Sequence, residues 1–238
     1  MNSIAVFGTN GAIGNALLLV MLKNFPTATI YSISRFKKDV SHKNIHHFCV
    51  DYFDETQLQA IAKTTTKTGQ LDLVLVTNGI LHDDTIYPEK ALNDISAEKL
   101  EFSFKINTIL PALIAKHFVP TLNKENKSIF AALSARVGSI SDNRLGGWYG
   151  YRASKAALNM IIKTVSIETK RLNKSAIIIG LHPGTVASNL SKPFQKHIAP
   201  EKLFSPDSSA EKLFRVLISV SSKDSGKCFD WNCKEVLP

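Results

Sequence analysis

Short apolar runs alternate with helix-like segments along almost the whole chain, and this alternation constrains the fold more than any other feature. "SIAVFG" is an apolar run closed by Gly8, and "AIGNALLLVMLKN" carries apolar residues at helical spacing. "ATIYSIS" and "IHHFCV" are short and strand-like, and "ETQLQAIAKTTTKT" is amphipathic. "LDLVLVT" is nearly continuously apolar, as in a strand buried on both faces. The second half keeps the rhythm. "SAEKLEFSFKINTILPALIAKHFVPTL" reads as one long helix with Ser96 as N-cap and Pro111 as a bend. Then come "KSIFAALS" as a strand, "GYRASKAALNMIIKTVSIETKRL" as a helix, "SAIIIGLHPG" as a strand, "PDSSAEKLFRVLISV" as a helix and "GKCFDW" as a last strand. Such βα repetition predicts an α/β fold: a Rossmann-type doubly wound parallel sheet of about seven strands with helices on both faces. The 238 residues suit a single domain over 1–238, and 44% apolar residues suffice for its core. Two long irregular stretches, 81–94 and 187–205, stand out; the second is the candidate substrate loop.

A net charge of +9 raises the possibility of a nucleic-acid partner. The lysines are spread along the chain, however, and the one dense run, "RFKKDVSHK", lacks interleaved aromatics. A solvated lysine surface and no nucleic acid are therefore expected. Cys49, Cys228 and Cys233 form no C-x-x-C pair, and His46 and His47 have no partners at metal spacing, so reduced thiols and no metal are expected. "MNSIAVFG" enters a strand directly, and "ALLLVML" is too short to span a bilayer. The expectation is a cytoplasmic protein without membrane association.

"FGTNGAIGNA" follows the first strand and opens the first helix, with Gly8, Gly11 and Gly14 spaced G-x-x-G-x-x-G. Glycines there permit a tight turn and close approach of backbone to a ligand, and free N–H groups at the helix start suit a pyrophosphate. The end of the second strand reads Ser34-Arg35, then Lys37 and Lys38, with no acid before Asp39. An NAD site usually has an acid there, whereas a guanidinium fits a 2′-phosphate, so NADP(H) is preferred over NAD(H). Tyr151 and Lys155 are four residues apart on a predicted helix and share a face. A tyrosine has a reference pKa of about 10, and a nearby ammonium lowers it, which suits general acid–base work on a carbonyl or alcohol.

Over essentially its full length the sequence resembles the short-chain dehydrogenase/reductase family. "GTNGAIG", Asp51 after the third strand, "NGIL", "KINTILPAL", "YRASKAALN" and "HPGTVASNL" carry the likeness. "PEKAL", "GSISDNRLGGWYGYRASKAALN" and "SGKCFDWNCKEVLP" make it closest to the C-factor-like signalling and carbonyl-reductase branch. The resemblance implies that Tyr151 is the acid/base and that Lys155 bonds the nicotinamide ribose and lowers the Tyr151 pKa. Asn107 would hold a water of a proton relay. Gly8, Asn10, Gly11, Ile13 and Gly14 would cradle the pyrophosphate, with Arg35 at the 2′-phosphate and Asp51 at the adenine. Asn78, Gly79, Pro183, Val186 and Ser188 would complete the cofactor site. The implied function is NADP(H)-dependent hydride transfer between nicotinamide and a carbonyl or secondary alcohol. The alternative is a nucleotide-binding signalling or regulatory protein with little turnover. A small-molecule substrate and a homodimer or homotetramer are the implied partners.

The sequence departs from the family pattern in three places. Ala12 stands where the middle glycine of the turn is usual, and its methyl fits if the helix has begun there. Val76, Thr77, Asn78 and Gly79 stand where the family has N-N-A-G, leaving the stabilising asparagine without a counterpart. Ala135 stands where the second of two tandem serines is catalytic. Loss of one such donor costs about 3 kcal/mol of transition-state stabilisation in related chemistry. Ser134 is adjacent but on the opposite strand face, Ser139 lies in a loop beyond a glycine, and a backbone N–H is a third substitute. Of the three, Ser134 is the catalytic candidate. Trp148, Tyr149, Leu190 and Phe194 are candidate pocket residues, and His182 beside the Pro-Gly turn reads as packing.

Overall fold

The computed structural model describes residues 1–37 and 42–238; Lys38 and Asp39 of the basic stretch lie outside the described residues. In chain order the first half comprises β1 (Ser3–Phe7), α1 (Ala12–Asn24), β2 (Thr29–Ser34), β3 (Ile45–Cys49), α2 (Glu55–Thr65), β4 (Leu73–Val76), α3 (Ala97–Phe104) and α4 (Leu110–Phe118). The second half comprises β5 (Ser128–Leu133), α5 (Tyr149–Leu172), β6 (Ala176–His182), β7 (Thr185–Val186), β8 (Leu203–Phe204), α6 (Pro206–Ser219) and β9 (Cys228–Asp230).

Successive strand residues point to opposite faces, and in the central strands both faces are apolar. Ile4 and Val6 of β1, Leu73 and Leu75 of β4, and Ile129 and Ala131 of β5 enter one core with α1 and α6. Ala5 and Phe7, Val74 and Val76, and Phe130 and Ala132 enter a second core with α2, α4 and α5. The result is a seven-stranded sheet in the order β3-β2-β1-β4-β5-β6-β9, with every pairing parallel. The order reverses direction between β1 and β4. A crevice opens there at the carboxyl ends of the strands, which is where a doubly wound sheet binds ligands.

The sequence reads residues 96–122 as one long helix with a bend at Pro111; the structure divides it. Ser96 caps α3 through its side chain, accepting from Lys99 N at 3.3 Å. Between α3 and α4 lies one π-helical turn, Lys105–Ile109, in which Leu110 N reaches back five residues to the Lys105 carbonyl. Pro111 follows immediately and has no N–H to return to the Asn107 carbonyl. The wider turn therefore sits where the α-helical ladder would be broken anyway. β7 and β8 form a separate two-residue parallel pair, Thr185 with Leu203 and Val186 with Phe204. This pair was not legible in the sequence, and it ties together the two ends of the stretch 187–205. Among the described residues no helix is long and apolar enough to cross a membrane.

The first helix begins at Ala12, so the methyl there falls inside the helix as expected, and Gly14 bears the tightest contact. A Cβ on Gly14 would press on the Gly8 carbonyl oxygen and stand 2.5 Å from Thr77 Oγ1, whereas one on Gly11 would meet only Gly8 O at 3.3 Å. Gly14→Ala is expected to destabilise the fold by about 1–3 kcal/mol, lowering Tm by several degrees, while Gly11→Ala leaves Tm within a degree or two. Thermal unfolding of the two variants checks this.

Candidate active site

Two cavities share Thr77, Asn78 and Gly79 as a common wall and together form one crevice along the strand ends. The smaller, about 190 Å³, is lined by Gly8, Asn10, Gly11, Arg35, Tyr52 and Phe53, among others. The larger, about 370 Å³, includes Ile13, Ala135, Tyr151, Lys155, His182 and Phe194.

The glycine turn forms the junction between β1 and α1. Gly8 has φ +83°, and a Cβ there would stand 2.6 Å from Thr77 Oγ1. Gly11 is the N-cap of α1; no side chain caps the helix, and its first turn has no acid. The first helical N–H groups are therefore left to a ligand, with the positive end of the helix dipole behind them. Thr77, one of the residues standing in place of the family's N-N-A-G, is bonded to β1. Its hydroxyl donates to the Phe7 carbonyl at 2.5 Å and its N–H to the same oxygen at 3.1 Å, tying the end of β4 to β1.

Arg35 follows β2 and is exposed in the smaller cavity, its guanidinium carbon 5.5 Å from the centre of the Phe36 ring. Among the described residues no carboxylate pairs with it. Asn10 Oδ1 accepts from Phe36 N at 3.3 Å and so holds the two loops together. Tyr52 OH donates to the Ile33 carbonyl and accepts from Gly8 N, both at 3.1 Å; burial raises its pKa. Asn78 Oδ1 is buried without a hydrogen-bond partner, an acceptor that a ligand could complete. Together, the uncapped helix, the free guanidinium and the orphaned amide oxygen fit a phosphorylated dinucleotide.

Asp51 departs from expectation. It is exposed and does not line the cavity; its carboxylate accepts from Phe53 N at 3.0 Å, closing a local turn. The residues at that wall are Tyr52 and Phe53, which the sequence reading missed because nothing in their spacing separates a cavity wall from core.

Tyr151 and Lys155 lie one turn apart on α5 and both line the larger cavity. Three contacts hold this stretch. Ser154 Oγ accepts from Asn107 Nδ2 at 3.2 Å, and Thr108 Oγ1 donates to the Ser154 carbonyl at 2.8 Å. Gly138 presses on Lys155, so that a Cβ there would come within 2.9 Å of Lys155 Cβ. At the start of α5, Trp148 adopts a left-handed conformation (φ 52°, ψ 44°), and its N–H donates to the Glu89 carbonyl at 2.5 Å. Glu89 is buried, and its Oε2 accepts from Gly150 N at 3.0 Å. A carboxylate is favourable at a helix N-terminus, so Glu89 anchors the end of the helix nearest Tyr151. The sequence reading missed Glu89, which is some sixty residues away along the chain.

Lys155 Nζ donates to the Leu133 carbonyl at 2.8 Å and lies 5.8 Å from the centre of the Tyr151 ring. Burial pushes the Tyr151 hydroxyl up to about 12 and the Lys155 ammonium down to about 8. The polypeptide surroundings thus oppose the expected lowering of the Tyr151 pKa. Desolvation is the cause at Tyr151 and the leading cause at Lys155.

Asn107 is fully buried in the π-helical turn. Its Oδ1 accepts from Ile80 N and its Nδ2 donates to the Ile80 carbonyl, each at 2.9 Å. The side chain is therefore a clamp between three segments rather than an arm reaching for water. It does lie beside Lys155 at Gly79, where a Cβ would be 3.6 Å from both Asn107 Oδ1 and Lys155 Nζ.

Extended geometry continues through Ala135 (φ −154°, ψ 149°), and Ser134 lines the larger cavity with it. Its hydroxyl donates to Asn159 Oδ1 at 2.6 Å. Ser139 does not line the cavity; its hydroxyl accepts from Asp142 N at 3.2 Å and lies 3.3 Å from Ser141 Oγ. Among the described residues the Tyr151 hydroxyl has no serine partner, and Ala135 occupies the cavity wall.

Pro183, Val186 and Ser188 line the larger cavity, and Ser209 Oγ donates to the Pro183 carbonyl at 2.8 Å. Gly184 (φ +76°) has no room for a Cβ, which would lie 2.6 Å from the Phe204 ring. Trp148, Leu190 and Phe194 also line the cavity, with the Trp148 ring 5.0 Å from Phe194 and 6.2 Å from Tyr151; Tyr149 does not.

The short chain dehydrogenase family model matches residues 2–199. The chain is similar to the C-signal of Myxococcus xanthus, 30% identical over 146 residues, which covers 61% of this chain and 82% of that protein. It is also similar to a 1-hydroxy-2-glutathionyl-2-methyl-3-butene dehydrogenase of Rhodococcus sp. (strain AD45), 28% identical over 179 residues, 75% of this chain and 74% of that protein. Among solved structures, the NADPH-bound carbonyl reductase from chicken fatty liver superposes with a TM-score of 0.86 at 23% identity, covering 100% of this chain and 99% of that one. With a family match spanning most of its length and a parallel sheet of the matching architecture, the chain belongs to the short-chain dehydrogenase family.

Proposed function

We propose that this protein is an NADP(H)-dependent reductase of a neutral, apolar carbonyl compound, working reversibly on the corresponding secondary alcohol. The observation that carries this reading is the placement of Tyr151 and Lys155 where the glycine-turn half of the crevice meets its apolar half. A nicotinamide cofactor, when bound, supplies or accepts the hydride at the carbonyl carbon. Tyr151, with its proton held by burial, donates that proton to the carbonyl oxygen in the reductive direction. Lys155 stands beside it as a cation at neutral pH and, with Asn107 close by at Gly79, offers a route for the replacing proton. Gly8, Gly11, Ile13 and Gly14 would hold the pyrophosphate and Arg35 the 2′-phosphate. Asn10, Asn78 and Gly79 would border the dinucleotide, and Pro183, Val186 and Ser188 the nicotinamide.

Leu81, Val137, Trp148, Leu190, Phe194 and Ile198 give the larger cavity an apolar wall. Its one cationic wall residue besides Lys155 is Arg136, which is paired with Asp230 Oδ2 at 2.9 Å and with Asp142 Oδ2 at 3.7 Å. That pairing favours an uncharged substrate with an apolar or aromatic flank, and residues 187–205 as the substrate loop. The family likeness of the chicken carbonyl reductase, whose structure holds NADPH, supports the choice of cofactor. Exposed Met160, Ile167 and Leu172 along α5 support a homo-oligomer.

A second reading is a nucleotide-binding signalling protein with little turnover. It is favoured by the missing hydroxyl at Ala135 and by the likeness to the C-signal. NADPH binding measured by calorimetry without oxidation against any aldehyde or ketone would establish this reading over the first.

Under the first reading, Tyr151→Phe reduces NADPH-dependent ketone reduction by about a hundredfold or more and leaves NADPH affinity unchanged. Unaltered turnover would reject the mechanism. Arg35→Ala raises the Kd for NADPH by about tenfold and leaves that for NADH within twofold, as calorimetry will report. A linkage experiment tests the burial of Lys155. Its folded pKa, about 8, lies below the ordinary 10.5, so the unfolded chain binds more protons between those values. Stability relative to Lys155→Met therefore rises as pH increases from about 8 to about 10.5. Urea unfolding of both proteins at pH 7.5 and pH 10 reads the difference.

A further inference from the structure

His182 ends β6 and lines the same cavity as Tyr151, Lys155 and Ala135. Ser134 N donates to the Leu181 carbonyl at 2.8 Å, continuing the register Leu133–Leu181, so the ends of β5 and β6 run side by side. This brings His182 next to the Ser134–Ala135 step, where the family's hydroxyl is missing. Among the described residues, neither ring nitrogen of His182 has a hydrogen-bond partner. Nδ1 is shielded from solvent, and Nε2 is not. An imidazole in a protein interior normally orients itself by at least one such bond.

The two nitrogens are not equivalent. An unpaired buried N–H is costlier than an unpaired acceptor, so the proton of the neutral ring belongs on Nε2, the accessible nitrogen, with the Nδ1 lone pair inward. The ring stays neutral: burial, followed by the Arg136 guanidinium, holds its pKa down to about 4 against the opposing pull of Asp230. Most serine and threonine hydroxyls at this wall are engaged. The Ser134 hydroxyl donates to Asn159, those of Ser188 and Ser191 to the Val186 carbonyl, and that of Thr77 to the Phe7 carbonyl. Thr185, two residues beyond Pro183, remains as a rival hydroxyl donor, and the Asn78 amide lies at the wall shared with the glycine-turn cavity.

We infer that His182 Nε2–H donates a hydrogen bond to the substrate's carbonyl oxygen and so replaces the hydroxyl that Ala135 lacks. This inference rests on the carbonyl-reductase reading above. The imidazole transfers no proton; Tyr151 does so, while His182 fixes the oxygen and stabilises the negative charge that builds on it as hydride reaches the carbon. A neutral donor suits this position, because an imidazolium would add another cation to a wall that already holds Lys155 and Arg136.

The test measures acetophenone reduction with NADPH by wild type, His182→Leu, His182→Gln, Thr185→Val, Ala135→Ser and the double variant Ala135→Ser/His182→Leu. NADPH affinity and Tm are measured for each. The expected result is a fall in kcat/KM of about a hundredfold for His182→Leu, carried mainly by kcat, with NADPH affinity unchanged. His182→Gln keeps a donor and retains more activity than His182→Leu. Ala135→Ser recovers at least tenfold in the His182→Leu background by restoring the family's hydroxyl. Thr185→Val changes kcat/KM by less than threefold. Should His182→Leu fail to fold, as Tm will show, the Gln and Thr185 variants still decide. Wild-type activity with His182→Leu unchanged, or with the loss falling on Thr185→Val, overturns the inference and leaves the reductase reading standing. An inert wild type that fails with acetophenone and with every other carbonyl overturns both.

Discussion

A parallel strand cannot be joined to its neighbour by a tight turn; the chain must cross back over the sheet before the next strand begins. Everything distinctive in this protein follows from that constraint. Most crossovers add a helix to one face, the described residues between β2 and β3 being the exception; both faces of the central strands become apolar, and all seven strands release their following loops on the same edge. Where the strand order reverses between β1 and β4, those loops diverge and leave a crevice. Gly8, Thr77 and Gly14 meet at that point so closely that the two glycines have no room for side chains.

The crevice serves two chemistries because its two halves are built differently. One half is mostly main chain, an uncapped helix start and a glycine turn, joined by the Arg35 guanidinium, which has no carboxylate partner among the described residues. The other half is made of side chains, apolar except for a few buried polar groups. Burying Tyr151 and Lys155 there drives both toward their neutral forms. They are held in place by contacts from distant segments: Asn107 and Thr108 at Ser154, Gly138 at Lys155, and the Glu89 carboxylate at the helix start. The π-helical turn before Pro111 brings Asn107 to this junction.

Much of this was legible in order along the chain. The βα alternation, the glycine spacing, Arg35 after β2, and Tyr151 four residues before Lys155 are local patterns, and local patterns report what backbone and helix periodicity dictate. Three features were not legible. Asp51 is next to the residues that line the cavity but turns into a local bond with Phe53. Ser134 seemed the natural hydroxyl, and it lines the cavity, yet its hydroxyl is engaged by Asn159 on α5. His182 looked like packing beside a Pro-Gly turn, and only its place on the cavity wall and its unpartnered ring mark it as available.

The sequence by itself determined the layer architecture, the glycine turn and the Tyr151–Lys155 pair, because each depends on spacing within a single element or a single turn. The tertiary structure alone decided which polar groups are engaged and which are free. A hydroxyl, an amide or an imidazole carries the same letter whether its partner is water, backbone or nothing. Its availability depends on which of several strands and helices, remote in the chain, comes to lie within hydrogen-bond reach. That is why Ala135, the one position where the sequence plainly lacks a donor, gains its meaning from a histidine on the neighbouring strand.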